Sequence, residues 1–147
     1  FQVDGDPVPW RAPGVFRGIA VKPKRVRDWE QYVASVAHQN YVGEPYDQPV
    51  ELHLQLIKSI KDKRRWWNWW SARPDMDNLK KAIGDSLTGH AHKKGRNGES
   101  STIGRILTDD NLIVHSHVMK LYGPTSCVRI TLFKLDSAKE RYGSLQI

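Results

Sequence analysis

From Val50 to Ile57 apolar and polar residues alternate: Val50, Leu52, Leu54 and Leu56 share one face, and Glu51, His53 and Gln55 share the other. A period of two is that of a strand with one buried face. The pattern changes in two other stretches. Between Val26 and Ala37 the apolar positions are Trp29, Tyr32, Val33, Val36 and Ala37, and between Asp75 and Leu87 they are Met76, Leu79, Ile83 and Leu87. Both spacings predict helices with a single buried stripe, the second stopping at Gly89. Two further strands are expected at about Leu112 to Tyr122 and Val128 to Leu135, joined by a turn at Gly123 and Pro124.

The rest is punctuation. Pro7, Pro9, Pro13 and Pro23, with several glycines, make Val8 to Pro23 irregular, with at most a short strand before it. Residues 90–104 are polar and glycine-rich and read as a mobile loop, and 136–147 as a tail. The order is then roughly β-α-β-α-β-β in one domain covering residues 1–147. This predicts an α/β (α+β) fold with a mixed sheet packed against two main helices.

Composition narrows the function. No apolar run approaches the roughly 20 residues of a membrane span, so no membrane partner is expected. The first residues carry no basic segment followed by an apolar one, so no secretory signal is expected. Cys127 is the single cysteine, which rules out an internal disulfide and cysteine-based zinc folds. A cytoplasmic protein is the expectation. Lys and Arg number 23 against 16 Asp and Glu, a formal charge of +7. That excess suits a polyanionic partner, and also a basic protein with none.

The segment RPDMDNLKKAIGDSL adds chemistry. Asp77, Lys81 and Asp85 fall at i, i+4 and i+8 on the face opposite the apolar stripe, and Asp75 sits at the helix start. A second acidic pair, Asp109 and Asp110, precedes the next strand. Carboxylates gathered from these two places repel one another unless a hard cation binds them. Beside a lysine they form the parts of metal-assisted phosphodiester hydrolysis. The same residues also read as an N-cap, a surface ion pair and turn residues.

RPDMDNLKKAIGDSL followed by TDDNLI resembles the RusA family of Holliday junction resolvases, found in bacteria, phages and prophages. The likeness extends to the PVPWRAPG segment, the helix around Trp29 to Ala37 and a lysine at Lys120. The resemblance implies a Mg²⁺-dependent endonuclease, with Mn²⁺ as a substitute, that acts as a homodimer on four-way DNA junctions and needs no organic cofactor. It implies Asp75, Asp77 and Asp110 as metal-binding carboxylates, Lys81 as the catalytic lysine, and Asp109 and Asp85 in supporting roles. The connection from Leu87 to Ile106 is longer than the short loop often seen in the family, and it adds Lys93, Lys94 and Arg96.

Further DNA contacts are expected from Lys63, Arg64, Arg65, Arg73, Lys93, Lys94, Arg96 and Lys120. The basic run precedes Trp66, Trp67, Trp69 and Trp70, a composition that suits phosphates and stacked bases, and equally a core or an interface. Arg11, Arg17, Lys22, Lys24, Arg25 and Arg27 either line the same groove or are solvated surface. The H-x-H pairs His90/His92 and His115/His117 could hold Zn²⁺ or Cu²⁺ on a strand. Nothing in the carboxylate motif calls for them, and packing or DNA contact is the expectation. Besides a junction resolvase, a nuclease acting on forks, flaps or RNA and a non-cleaving binder of branched DNA remain open.

Overall fold

A computed structural model describes residues 1–91, 102–103 and 105–135. Four strands form one mixed sheet: β1 (Gln2–Asp4), β4 (Val50–Ser59), β7 (Ile113–Gly123) and β8 (Cys127–Lys134), in spatial order β1-β8-β4-β7. Strand β4 is central. It runs antiparallel to β8 and parallel to β7, with Leu56 opposite Lys120 and Glu51 opposite His115. The parallel pair needs a long crossover, and helix α2 (Met76–Leu87) lies within it.

Helices α1 (Lys24–Asn40) and α2 cover one face of the sheet. Val50, Leu52, Leu54 and Leu56 point into that core and meet Val26, Trp29 and Val33 of α1 and Leu79, Ile83 and Leu87 of α2. The expected strands and helices are all present, with ends shifted by a residue or a few. Met76 departs from the expected stripe. As the first residue of α2 it stands at the rim, 41% exposed, and Ala82 and Ser86 are buried in the helix face instead. Tyr32 likewise lies at the edge of α1's buried face, tilted against Trp29 with ring centroids 6.1 Å apart.

The proline-rich segment contains more structure than expected. Strands β2 (Gly14–Phe16) and β3 (Ile19–Val21) form an antiparallel hairpin. Its two-residue turn, Arg17–Gly18, has positive φ at both positions, 50° and 75°, as a twisted hairpin turn requires. Val15, Phe16 and Ile19 on it are exposed, so no in–out alternation marks the strands in the sequence. The short strands β5 (His90–Ala91) and β6 (Thr102–Ile103) pair with each other. Most of the expected mobile loop, residues 92–101 and 104, and the tail 136–147 lie outside the described residues. No described helix is long and apolar enough to cross a membrane.

Candidate nuclease site

The site forms at the N-terminal end of α2. Its position is set from three sides. The Trp10 amide donates to the Asn78 carbonyl at 2.8 Å, holding the N-terminal segment against the first turn. The aromatic segment runs along β7, with the Trp67 and Trp70 amides bonded to the Tyr122 and Lys120 carbonyls at 2.8 and 2.9 Å. At the far end, the Leu87 carbonyl accepts from the Ile106 and Leu107 amides at 2.8 and 2.9 Å, which brings the returning chain back beside the helix.

That return places Asp110 next to α2. Gly84 faces it: a β-carbon at Gly84 would stand in ordinary contact, 4.0 Å from the Asp110 Cβ and 3.5 Å from Ile113 Cδ1. Asp77, Lys80, Lys81, Gly84 and Asp110 line one open cavity. Asp75 caps the helix start but makes no side-chain capping bond. It faces two adjoining cavities, one bounded by Trp10, Arg11, Arg25, Arg73 and Asn78, the other by Trp69, Trp70, Met76 and Lys120. Asp75, Asp77 and Asp110 are all exposed, and no hydrogen bond or ion pair from the described residues occupies their carboxylate oxygens.

Lys81 is held rather than free. Its ammonium lies 3.3 Å from Asp85 Oδ1 and 5.2 Å from the centre of the Trp10 ring. Asp85 also meets Lys22 at 3.4 Å, and Lys22 pairs with the fully buried Glu30 of α1 at 2.8 Å. Asp85 therefore links the site lysine to the helix–helix contact. Asp109 has a local role: its carboxylate accepts from the Asn111 amide at 2.8 Å and caps the 3-10 turn Asp110–Leu112. Lys22, a candidate for the DNA groove by its charge, is instead paired with Glu30 and Asp85, and Trp10, part of the PVPWRAPG segment, stands over the Lys81 ammonium; neither position is readable from spacing. The PVPW segment offered no spacing that would link it to residue 81.

The expected DNA contacts divide. Arg73 stands beside Asp75 with Arg11 and Arg25, which makes a cationic rim. Lys63, Arg64 and Arg65 form an exposed 3-10 turn. Arg64 is paired with Asp62 at 3.1 Å, and the Arg65 guanidinium lies 4.7 Å from the Tyr122 ring centre. Of the tryptophans, Trp70 is buried, Trp67 and Trp69 are exposed, and Trp66 donates its indole N–H to the Ile60 carbonyl. Lys120 is placed differently from the expectation. It is 9% exposed, and its ammonium donates to the Ala72 and Pro74 carbonyls at 2.7 and 2.6 Å. Burial lowers its pKa, against the opposing pull of the Asp75 charge. It supports the loop that carries Asp75. Lys93, Lys94 and Arg96 lie outside the described residues. His115 and His117 project from the face of β7 opposite to Lys120, away from the carboxylates.

The family profile described as Endodeoxyribonuclease RusA matches residues 4–96, more than half of the sequence. The chain belongs to the RusA family. The matched span contains Arg73, Asp75, Asp77, Lys81 and Asp85, while Asp109, Asp110 and Lys120 lie beyond it. A protein of Lactococcus phage r1t, described as crossover junction endodeoxyribonuclease rusA, is 45% identical over 40 residues, 27% of this chain. The likeness spans 30% of the length of that phage protein.

Proposed function

We propose that the chain is a divalent-metal-dependent endodeoxyribonuclease that resolves four-way DNA junctions by paired symmetric nicks, in recombination and repair within the bacterial cytoplasm. The observation that supports this most is the cavity shared by Asp77 and Asp110, with Lys81 beside them and Asp75 one step away at the helix start. The donor set fits a hard cation. It consists of exposed carboxylate oxygens with open solvent for retained waters, which is the preference of Mg²⁺, with Mn²⁺ as a substitute. When bound, such an ion supplies an activated water and neutralises charge on the phosphoryl group.

The chain's own residues do the remainder. Asp77 and Asp110, which line one cavity, would hold the ion, with Asp75 reaching it from the adjoining helix start. The Lys81 ammonium, steadied by Asp85 and Trp10, offers positive charge to the phosphoryl oxygens as charge builds on them. Arg73, Arg11 and Arg25 bind flanking phosphates and set the strand's register. Lys63, Arg64 and Arg65 extend the basic surface for the other arms, and Lys93, Lys94 and Arg96, outside the described residues, are assigned phosphate contacts from the sequence alone. A homodimer presents two such sites about a two-fold axis, which suits two incisions in a pseudo-symmetric junction.

The test is a nicking assay with Mg²⁺ on a synthetic four-way junction, linear duplex, fork, flap, single strand and RNA, for the wild type and Asp77→Asn. Symmetric nicks on the junction alone are expected, lost in Asp77→Asn while junction binding stays level or tightens, since a repulsive charge has gone. Equal cutting of forks, flaps or RNA makes the protein a broader nuclease. Binding without cutting in Mg²⁺ or Mn²⁺ makes it a recogniser of branched DNA. Loss of binding in step with cutting gives Asp77 a role in the fold instead.

A further inference from the structure

The face of the sheet turned away from the helices carries an unusual polar group. In β4 the alternation that sends Leu52 and Leu54 into the core sends Glu51 and His53 to the other side. The parallel register with β7 sets Glu51 beside His115 and His53 beside His117. The Glu51 side chain is 1% exposed, yet its Oε1 is approached by three imidazole nitrogens: His53 Nε2 at 2.6 Å, His115 Nδ1 at 3.3 Å and His117 Nε2 at 3.3 Å. Among the described residues, Glu51, His115 and His117 are the one group whose three ligand atoms all lie within 4.8 Å of one another.

We infer that Glu51, His115 and His117 form a second cation site, distinct from the carboxylate cavity and suited to a transition ion of the Zn²⁺ class. The argument rests on donor type, spacing and access. Two imidazole nitrogens and one carboxylate oxygen are the ligands of borderline ions, whereas Mg²⁺ takes oxygen. A tetrahedral ion with bonds of about 2.0–2.1 Å sets its ligand atoms roughly 3.3 Å apart. Both Glu51-to-imidazole distances have that value, so the ligands need little movement. A cation also offsets the charge of a carboxylate withdrawn from water. The His115 and His117 side chains are 40% and 58% exposed, so the site lies at the sheet surface even though the Glu51 carboxylate and the His115 Nδ1 are buried. His53, closest to the carboxylate oxygen, holds it in place from outside the ligand set.

The site is independent of the proposed nuclease chemistry. Lys120, three residues beyond His117, has the opposite strand parity and points to Pro74 and Asp75. Binding therefore gives the readout, with Zn²⁺ alone as the probe. Full-length protein stripped with a chelator is titrated with Zn²⁺ in excess Mg²⁺, by calorimetry and by metal content after dialysis. One equivalent per chain is expected. It should weaken about 100-fold or more in His115→Ala and His117→Ala, and about 10-fold in His53→Ala, the scale of losing a supporting partner. It should be unchanged in Asp77→Asn. His117 is the most exposed member, so its variant keeps the fold, which circular dichroism verifies. Absence of saturable Zn²⁺ binding in the wild type overturns the inference, and the histidines then only hydrogen-bond a buried carboxylate. Undiminished binding in a folded His117→Ala, or loss in Asp77→Asn, overturns it too, because the ion then sits elsewhere.

Discussion

Replacing Lys120 with Met tests whether a buried ammonium holds the loop that carries Asp75. Met preserves the length of the stem and removes every donor. The two bonds lost, at 2.7 Å to Ala72 and 2.6 Å to Pro74, are made by a charged group, and such bonds contribute about 1.5–3 kcal/mol each. The placement of the ammonium 4.5 Å from the Trp70 ring centre adds about 0.5–1 kcal/mol. Two effects oppose this. The ammonium is desolvated, the cause of its lowered pKa, and Met relieves that cost. Ala72 is exposed and Pro74 half-buried, so water can reach the two carbonyls once the lysine is gone. The net loss expected is about 1–2 kcal/mol. Urea denaturation followed by tryptophan fluorescence measures it. The pH dependence gives a second reading. The unfolded chain keeps this lysine's proton to higher pH than the folded one, so wild-type stability gains from this group as pH rises towards the ordinary lysine range. The variant should lack that gain. On DNA, turnover should fall further than junction affinity, because Asp75 and Arg73 shift with the loop while Arg11 and Arg25 of the rim keep their places. A stability change within about 0.5 kcal/mol, the size of an ordinary surface substitution, refutes the reasoning.

Two glycines give opposite expectations. Gly84 lies buried in the interior of α2, and its added β-carbon would meet Ile113 at an ordinary 3.5 Å. Gly84→Ala should therefore raise stability by roughly 0.5–1 kcal/mol through helix propensity, read as a higher melting temperature. A β-carbon at Gly123 would lie 2.6 Å from Ile57 Cγ2. Gly123→Ala should cost about 1–3 kcal/mol by overpacking the end of the sheet, and an unchanged denaturation midpoint would contradict that.

The regular elements were legible because each buries one face. Leu52, Leu54 and Leu56 mark β4, and Leu79, Ile83 and Leu87 mark α2, at periods that survive in the folded chain. The hairpin at Gly14–Val21 escaped because its apolar side chains face solvent, although Arg17–Gly18 between two short apolar runs was a usable turn signal. Asp75, Asp77 and Lys81 could be grouped from helical spacing alone. The approach of Asp110 depends on a chain reversal held by Leu87, Ile106 and Leu107, which no local pattern encodes. Lys120 illustrates another limit. A lysine in a basic chain reads as a phosphate contact, and only the crossover that lays residues 66–70 along β7 places backbone carbonyls around it. The gathering of Glu51 with His115 and His117 likewise needs the parallel register of strands far apart in the chain.

The register between β4 and β7 slips at one point: Val50 pairs with Ile113 but Glu51 pairs with His115, leaving Val114 unmatched and exposed. Ile113 packs towards α2, and so does Lys120 seven residues later, a separation that strict alternation would send to opposite sides. That single supernumerary residue acts as a phase switch. It lets the acidic turn and the supporting lysine serve the same side of the molecule while the histidines between them serve the other. A frame-preserving deletion of Val114 would force the strand to choose, surrendering either the seat of Asp110 or that of Lys120. Across the family, gain or loss of a residue at this point should accompany a change in which of these side chains is kept.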